Sequence, residues 1–169
     1  TISAGTLKVG GAGRLGNGTY AQAIANSGTF EYASSADQTL SGQISGAGVL
    51  NKTTSTSSTL TLSGNNTYSG TTTVGAGTLV VGHNNGLGTS AGGVTVASGA
   101  TLDLNAVTVT GEALTLNGGT LKDATSEWTG SITLGANSTF EVGAGDTLKI
   151  SGVISDGAGG YGITKTGAG

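Results

Sequence analysis

The sequence predicts an all-β chain wound into a parallel β-helix, a β-solenoid of about seven to eight rungs of roughly 20 residues each. Three observations predict it. Apolar residues alternate with polar ones in Leu60-Thr61-Leu62, Val94-Thr95-Val96, Leu102-Asp103-Leu104, Val107-Thr108-Val109 and Leu114-Thr115-Leu116, and a period of two marks a strand with one buried side. The chain also echoes itself: residues 1–10 (TISAGTLKVG) align with residues 73–82 (TVGAGTLVVG), seven of ten positions being identical, and Leu15-Gly16 then falls on Leu87-Gly88. Such self-similarity belongs to stacked units that bury their apolar sides only against one another. Finally, no amphipathic helical stretch is present to supply the crossovers that parallel strands otherwise need.

The elements follow in order along the chain. Leu7, Phe30, Leu50, Leu79, Leu102, Leu121, Phe140 and Ile163 read as one inward row, one residue per rung, with intervals of 19, 20 or 23 except for 29 between Leu50 and Leu79. That wider interval reads as a rung with a longer loop. A coil of about 20 residues accommodates three short strands and their turns, with Thr and Ser on the outward positions. Asn65-Asn66, Asn84-Asn85 and Asn117-Gly118-Gly119 are expected at turns, where asparagine tolerates left-handed geometry. A second correspondence sets Phe30-Glu31 on Phe140-Glu141, residues 41–45 on 151–155 and, after a short insertion, residues 50–53 on 163–166. On this reading residues 1–169 form a single β-helix segment of a longer repeat protein. Residues 1–10 are the tail of one copy, 59–82 a complete core and 162–169 the head of the next. Open rung edges invite pairing, so end-to-end self-association is an expected property.

Residues 59–79 (TLTLSGNNTYSGTTTVGAGTL) closely resemble the passenger-associated transport repeat, also called the autotransporter-associated β-strand repeat. The family's lead-in is matched by residues 162–169 (GITKTGAG) and, in degraded form, by residues 48–53. Residues 54–58 (TSTSS) depart from the family's Gly-Ala-Gly, which places a longer loop there in place of a tight turn. The resemblance implies a right-handed parallel β-helix in the secreted passenger of a type V autotransporter, extracellular or at the bacterial cell surface, with repeats associated with efficient export. The positions it marks as structural are Leu60, Leu62, Gly64, Asn65, Asn66, Thr67, Tyr68, Gly70, Thr73, Val74, Gly77, Thr78 and Leu79. The partners it implies are adjacent rungs of the same parent chain. The residues specify no host-cell or matrix ligand and no cofactor.

Composition narrows the alternatives. Of 169 residues 34 are glycine, none is proline or cysteine, and 9% are charged, with a net charge of −3. The six basic residues are scattered singly, which gives no support to nucleic-acid binding. No apolar run is long enough for a transmembrane helix, and without cysteine there is neither a disulfide framework nor a thiolate metal site.

Several short motifs imitate enzymes. Gly88-Thr-Ser90-Ala-Gly92 fits a nucleophile elbow, but the only histidine, His83, precedes the serine and no helix follows. Residues 11–16 and 157–162 both fit G-x-G-x-x-G without a βαβ context, so turns are expected. Residues 143–148 approach a calcium-binding repeat, but Asp146 comes one position early and does not recur. Glu127, Trp128 and Tyr161 are too few for a polysaccharide-cleaving groove, and Trp128 is expected to cover a rung or loop. Glu31, Asp103 and Glu141 are expected as solvated outward carboxylates that could line one face. The expectation is a non-catalytic stalk or spacer. An adhesin or ligand-binding face on the same helix is the alternative, and ice binding through rows such as Thr71-Thr72-Thr73 and carbohydrate chemistry rank below it. Ice binding requires threonines in register, and coil lengths of 19, 20, 23 and 29 weigh against such regularity.

Overall fold

A computed structural model describes residues 1–54 and 57–169. They wind into a three-sided solenoid of about seven turns, in which every pairing between strands is parallel. The first face stacks eight strands: Thr6–Gly11, Thr29–Ser34, Val49–Lys52, Thr72–Val74, Val94–Ala97, Leu114–Asn117, Ile132–Ala136 and Ile154–Ser155. The second stacks Thr19–Tyr20, Gln38–Leu40, Thr59–Leu62, Thr78–Val81, Thr101–Leu104, Thr120–Asp123, Ser138–Val142 and Ile163–Thr166. The third face is split. Ile24–Ala25 pairs with Ile44–Ser45, and Thr108–Val109, Ser126–Trp128 and Leu148–Ile150 form a separate group. In rungs three and four residues 63–70 and 82–93 cross this side without forming a strand. The helical content among the described residues is one 3-10 turn, Gly16–Gly18.

Alternation decides which side chains enter the lumen. Thr59–Leu62 and Thr78–Val81 run half-buried, buried, half-buried, buried, and Leu60, Leu62, Leu79, Val81, Leu102 and Leu104 are fully covered. Burying each such aliphatic side chain contributes about 1.5–3 kcal/mol, which lets a chain so rich in glycine fold.

The single inward row expected from Leu7 to Ile163 is in fact two rows. Leu7, Phe30 and Leu50 stack on the first face, where Leu50 is followed by Thr72. Leu79 stacks on Leu60 of the second face and leads through Leu102 and Leu121 to Phe140. Phe140 is followed by Lys165, while Ile163 lies over Ser138. The interval between Leu50 and Leu79 is therefore a change of face and not a lengthened rung. Of residues 54–58, to which the longer loop was assigned, 55 and 56 lie outside the described residues.

The sequence echoes obey one rule. The strand Thr6–Gly11 lies on the first face and its echo Thr78–Val81 on the second. Phe30 and Leu50 lie on the first face and their echoes Phe140 and Ile163 on the second, while Ile44 lies on the third face and its echo Ile154 on the first. Each echo lands one face further round the solenoid. All three faces ask the same of a strand, apolar residues inward and small β-branched residues outward, so the repeat specifies a strand and its turn without specifying a face.

Register survives unequal coil lengths because the corners absorb the difference. Thr59, Thr78, Thr101, Thr120, Thr139 and Thr164 form one continuous outward column on the second face. Irregular coil length therefore does not prevent threonines from aligning. The adjacent outward column runs Thr39, Thr61, Val80, Asp103, Lys122, Glu141 and Thr166, so threonines stand side by side only at Thr59–Thr61 and Thr164–Thr166 and the middle of the face is not a paired array. At the corner entering the first face, Gly28, Gly48, Gly70, Gly92, Gly130 and Gly152 stack, and a Cβ at any of them would meet the backbone of the preceding rung. One residue in this column, Glu112, is not glycine.

Candidate functional site

The repeat core is built mainly of contacts between rungs. Leu60, Leu62, Val74 and Leu79 fill the lumen, while Thr73 stacks outward between Asn51 and Thr95, and Thr78 between Thr59 and Thr101. Gly77 turns the chain between two strands at φ +70, a left-handed conformation that favours glycine. Gly64 and Gly70 serve a different purpose: a Cβ would fall against the carbonyl oxygens of Gly42 and Gly48 respectively.

The centre of the motif bridges the gap in the third face. Alternation continues there without strand pairing: Gly64, Asn66 and Tyr68 point inward, and Asn65, Thr67 and Ser69 outward. Asn66 is 2% exposed; its Oδ1 accepts the Ile44 N–H at 2.8 Å and its Nδ2 donates to the Gly86 carbonyl at 2.7 Å. Thr67 N–H donates to Ile44 O at 2.8 Å and Ser69 N–H to Gly46 O at 2.9 Å. Asn65 is exposed, and its Oδ1 accepts from Asn85 Nδ2 at 2.9 Å. Tyr68 is fully buried with its hydroxyl 2.7 Å from Thr72 Oγ1, and burial pushes the phenol far above its ordinary pKa. Of the asparagines expected at turns, Asn84-Asn85 lie in one, closed by the Gly86 N–H on His83 O at 2.8 Å, whereas Asn65-Asn66 do not and Asn117 ends a strand; none is left-handed, the non-glycine residues with positive φ being Asn17, Thr54, Ala106, Thr125 and Ala158 among the described residues. Asn66 is present for its amide, which stands in for strand hydrogen bonds on both sides of the gap.

Charges are arranged across rungs and not as a line of carboxylates. Lys8 pairs with Glu31 at 3.0 Å, Lys122 with Asp103 at 2.9 Å and Lys149 with Glu127 at 2.9 Å, each between register neighbours. A hydrogen bond from Thr53 and the Lys8 ammonium together hold the Glu31 carboxyl below its usual range. Ser151 and Lys149 do the same for Glu127.

Three buried charged side chains, Lys52, Glu112 and Asp123, had no signal in the sequence taken alone. Lys52 points inward over the Tyr32 ring, its Nζ 5.9 Å from the ring centroid and donating to the Ala76 carbonyl at 3.2 Å. Burial lowers its pKa. Glu112 is 3% exposed, accepts a hydrogen bond from the Gly93 N–H and is pushed up to about 7 by burial. Its spacing from the corner glycines would have revealed it, but only once the register was known.

The enzyme-like motifs do not converge. Ser90 is exposed in the strandless segment 82–93, and no helix follows it. His83 is half-buried, and its Nδ1 accepts the Asn85 N–H at 3.0 Å. Residues 11–16 lead into the 3-10 turn at Gly16–Gly18, and in the 157–162 segment Asp156 accepts the N–H groups of Ala158 and Tyr161. Asp146 accepts from Thr125 Oγ1 at 3.1 Å. Among the described residues no three His, Asp or Glu side chains cluster. Trp128, expected as a cover, is fully buried in the lumen between Val109 and Ile150. Glu127 lies on the opposite side of that strand and cannot share a site with it.

Residues 57–81 match the family model described as the Passenger-associated-transport-repeat. No curated protein and no solved structure matches the chain. The matched segment and the parallel β-solenoid together fit an autotransporter passenger segment. No helix among the described residues is long and apolar enough to cross a membrane.

Proposed function

We propose that this chain is a non-catalytic stalk or spacer segment of a secreted, surface-exposed bacterial passenger of the autotransporter type. The stepwise addition of rungs would help to draw the passenger outward and fold it. The observation that supports this reading most is the use made of the repeat core: Leu60, Asn66, Tyr68, Gly70 and Leu79 all face neighbouring rungs, and none is held ready for a ligand. A rung that docks on its predecessor buries aliphatic surface and closes a row of hydrogen bonds. Outside the cell, that free energy opposes backsliding of the chain.

Register makes a clean test available. Thr59 is the partner of Thr78, so deleting residues 59–77 removes one whole rung together with most of the repeat. Thr101 is likewise the partner of Thr120, and deleting residues 101–119 removes a rung without the repeat. Surface display of a passenger carrying this segment is the measurement. The reading expects display to fall much further for the first deletion. Equal display from the two would sink the export role and leave only that of a spacer.

A further inference from the structure

We propose that Glu112 makes the third-side corner of rungs four to six a pH-sensitive joint, tight while its carboxyl is protonated and loosened when it ionises. The geometry points to this before any titration is considered. The corner column is glycine at Gly28, Gly48, Gly70, Gly92, Gly130 and Gly152 because a Cβ there would strike the preceding rung. The pairing of Val94 with Leu114 puts Glu112 over Gly92, and that of Leu114 with Ile132 puts Gly130 over Glu112. The longest acidic side chain thus occupies a place that its neighbours reserve for none, and it is 3% exposed. Gly111 before it has φ +72 and Gly93 beneath has φ +75, local geometry that lets the backbone accommodate it.

What surrounds the carboxyl is neutral. It accepts the Gly93 N–H. The segment beneath it, residues 88–93 (GTSAGG), carries no titratable group; nor do residues 129–132 (TGSI) above it or the flanking residues of its own corner, Thr110, Gly111, Ala113 and Leu114. Tyr68, two rungs below, is the titratable group whose phenol the Glu112 charge pushes further upward. None of the three ion pairs among the described residues includes Glu112. A carboxylate buried without a cation is costly, and desolvation accordingly pushes this one up to about 7. In the unfolded chain it titrates near 4.5. Its folded pKa is raised, so the stack is favoured below pH 4.5 and loses that contribution as pH climbs to about 7.

The test compares the urea midpoint of the 169-residue chain with that of Glu112→Gln from pH 4.5 to 8. Glu112→Gln keeps His83 and every other titrating group. The expected result is a midpoint that falls with pH in the parent relative to Glu112→Gln, with the variant the more stable at pH 8. Amide exchange at residues 88–93 should quicken in the parent over the same interval, beyond its intrinsic pH dependence. Parallel midpoint profiles would overturn the proposal. Should Glu112→Gln fail to fold, carbon NMR of the Glu112 carboxyl in the parent decides: a titration midpoint near 7 supports the joint, and one below 5 overturns it.

Discussion

Asn66 holds Ile44, one rung away, by a 2.8 Å hydrogen bond from the Ile44 N–H to its side-chain oxygen. The same amide donates to Gly86 on the other side at 2.7 Å. Three rungs are thereby joined by one side chain where the third face has no strand. Replacing Asn66 by Ala leaves a buried N–H and a buried carbonyl without their partner, at about 1–3 kcal/mol each. The expected loss in urea unfolding is about 2–6 kcal/mol. Asn66→Asp should be as damaging, because it keeps the acceptor for Ile44 but turns an oxygen toward the Gly86 carbonyl. Asn65→Ala, at an exposed position, should cost well under about 1 kcal/mol.

The glycines of the core divide into two kinds, and alanine substitution separates them. At Gly70 the added methyl meets the Gly48 carbonyl, so the rungs must part; the expected cost is about 2–3 kcal/mol or more. At Gly77 the obstacle is φ +70, and the expected cost is about 1–2 kcal/mol. Chemical denaturation of both variants should therefore rank Gly70→Ala as the weaker protein. The reverse order would mean that backbone strain, and not rung spacing, sets the cost of a side chain at these corners.

These two cases show what the sequence discloses. Leu60, Leu79 and Leu102 are legible because alternation is local: each strand states its own inward side. The repeat at 59–82 is legible for the same reason. Face assignment is not, since Leu50 and Leu79 sit in equivalent strands on different faces and only long-range pairing tells them apart. Asn66 reads as a turn residue because its composition matches one, yet the lumen puts a hydrogen-bonding gap beside it. Trp128 reads as the cover of a rung or loop, and Lys52 and Glu112 carry no local mark of burial because charged side chains usually lie outside. They are buried because the strand alternation or the corner column dictates where they point. The export role rests on the resemblance and on the rung contacts, and no motif states it.

Lys52 tests how strictly alternation is enforced. Its pairing with Tyr32 in register puts the ammonium over the ring, and burial lowers its pKa from 10.5. A folded state that binds this proton less tightly than the unfolded chain gains stability as pH rises toward 10.5. Lys52→Met preserves the volume and removes the buried charge, so stability near pH 7 should be unchanged or higher, and the alkaline gain should shrink. Lys52→Ala should cost about 2 kcal/mol or more through lost packing. Thermal melts at pH 7 and pH 9.5 distinguish these outcomes. A Lys52→Met variant much weaker than the parent at both would show that the ammonium contacts outweigh desolvation.

Outside the lumen the charges should matter little singly and more in sequence. Lys122 lies in register between Asp103 and Glu141 on the second face, and it bonds Asp103 at 2.9 Å. That hydrogen bond and the two carboxylates raise its pKa, so its contribution is complete below 10.5 and lost as pH rises through the folded value. Its side chain is 44% exposed, and solvent screening limits what the pair contributes to under about 1 kcal/mol. Lys122→Ala should therefore be nearly silent. Lys122→Glu sets three acids in one outward column with neighbours about 4.8 Å apart, and like charges directly opposite destabilise a sheet. That variant should lose about 1 kcal/mol at low salt and recover most of it in roughly 1 M NaCl, where the Debye length is about 3 Å. A loss that persists at high salt would show instead that like-charge repulsion does not carry the effect.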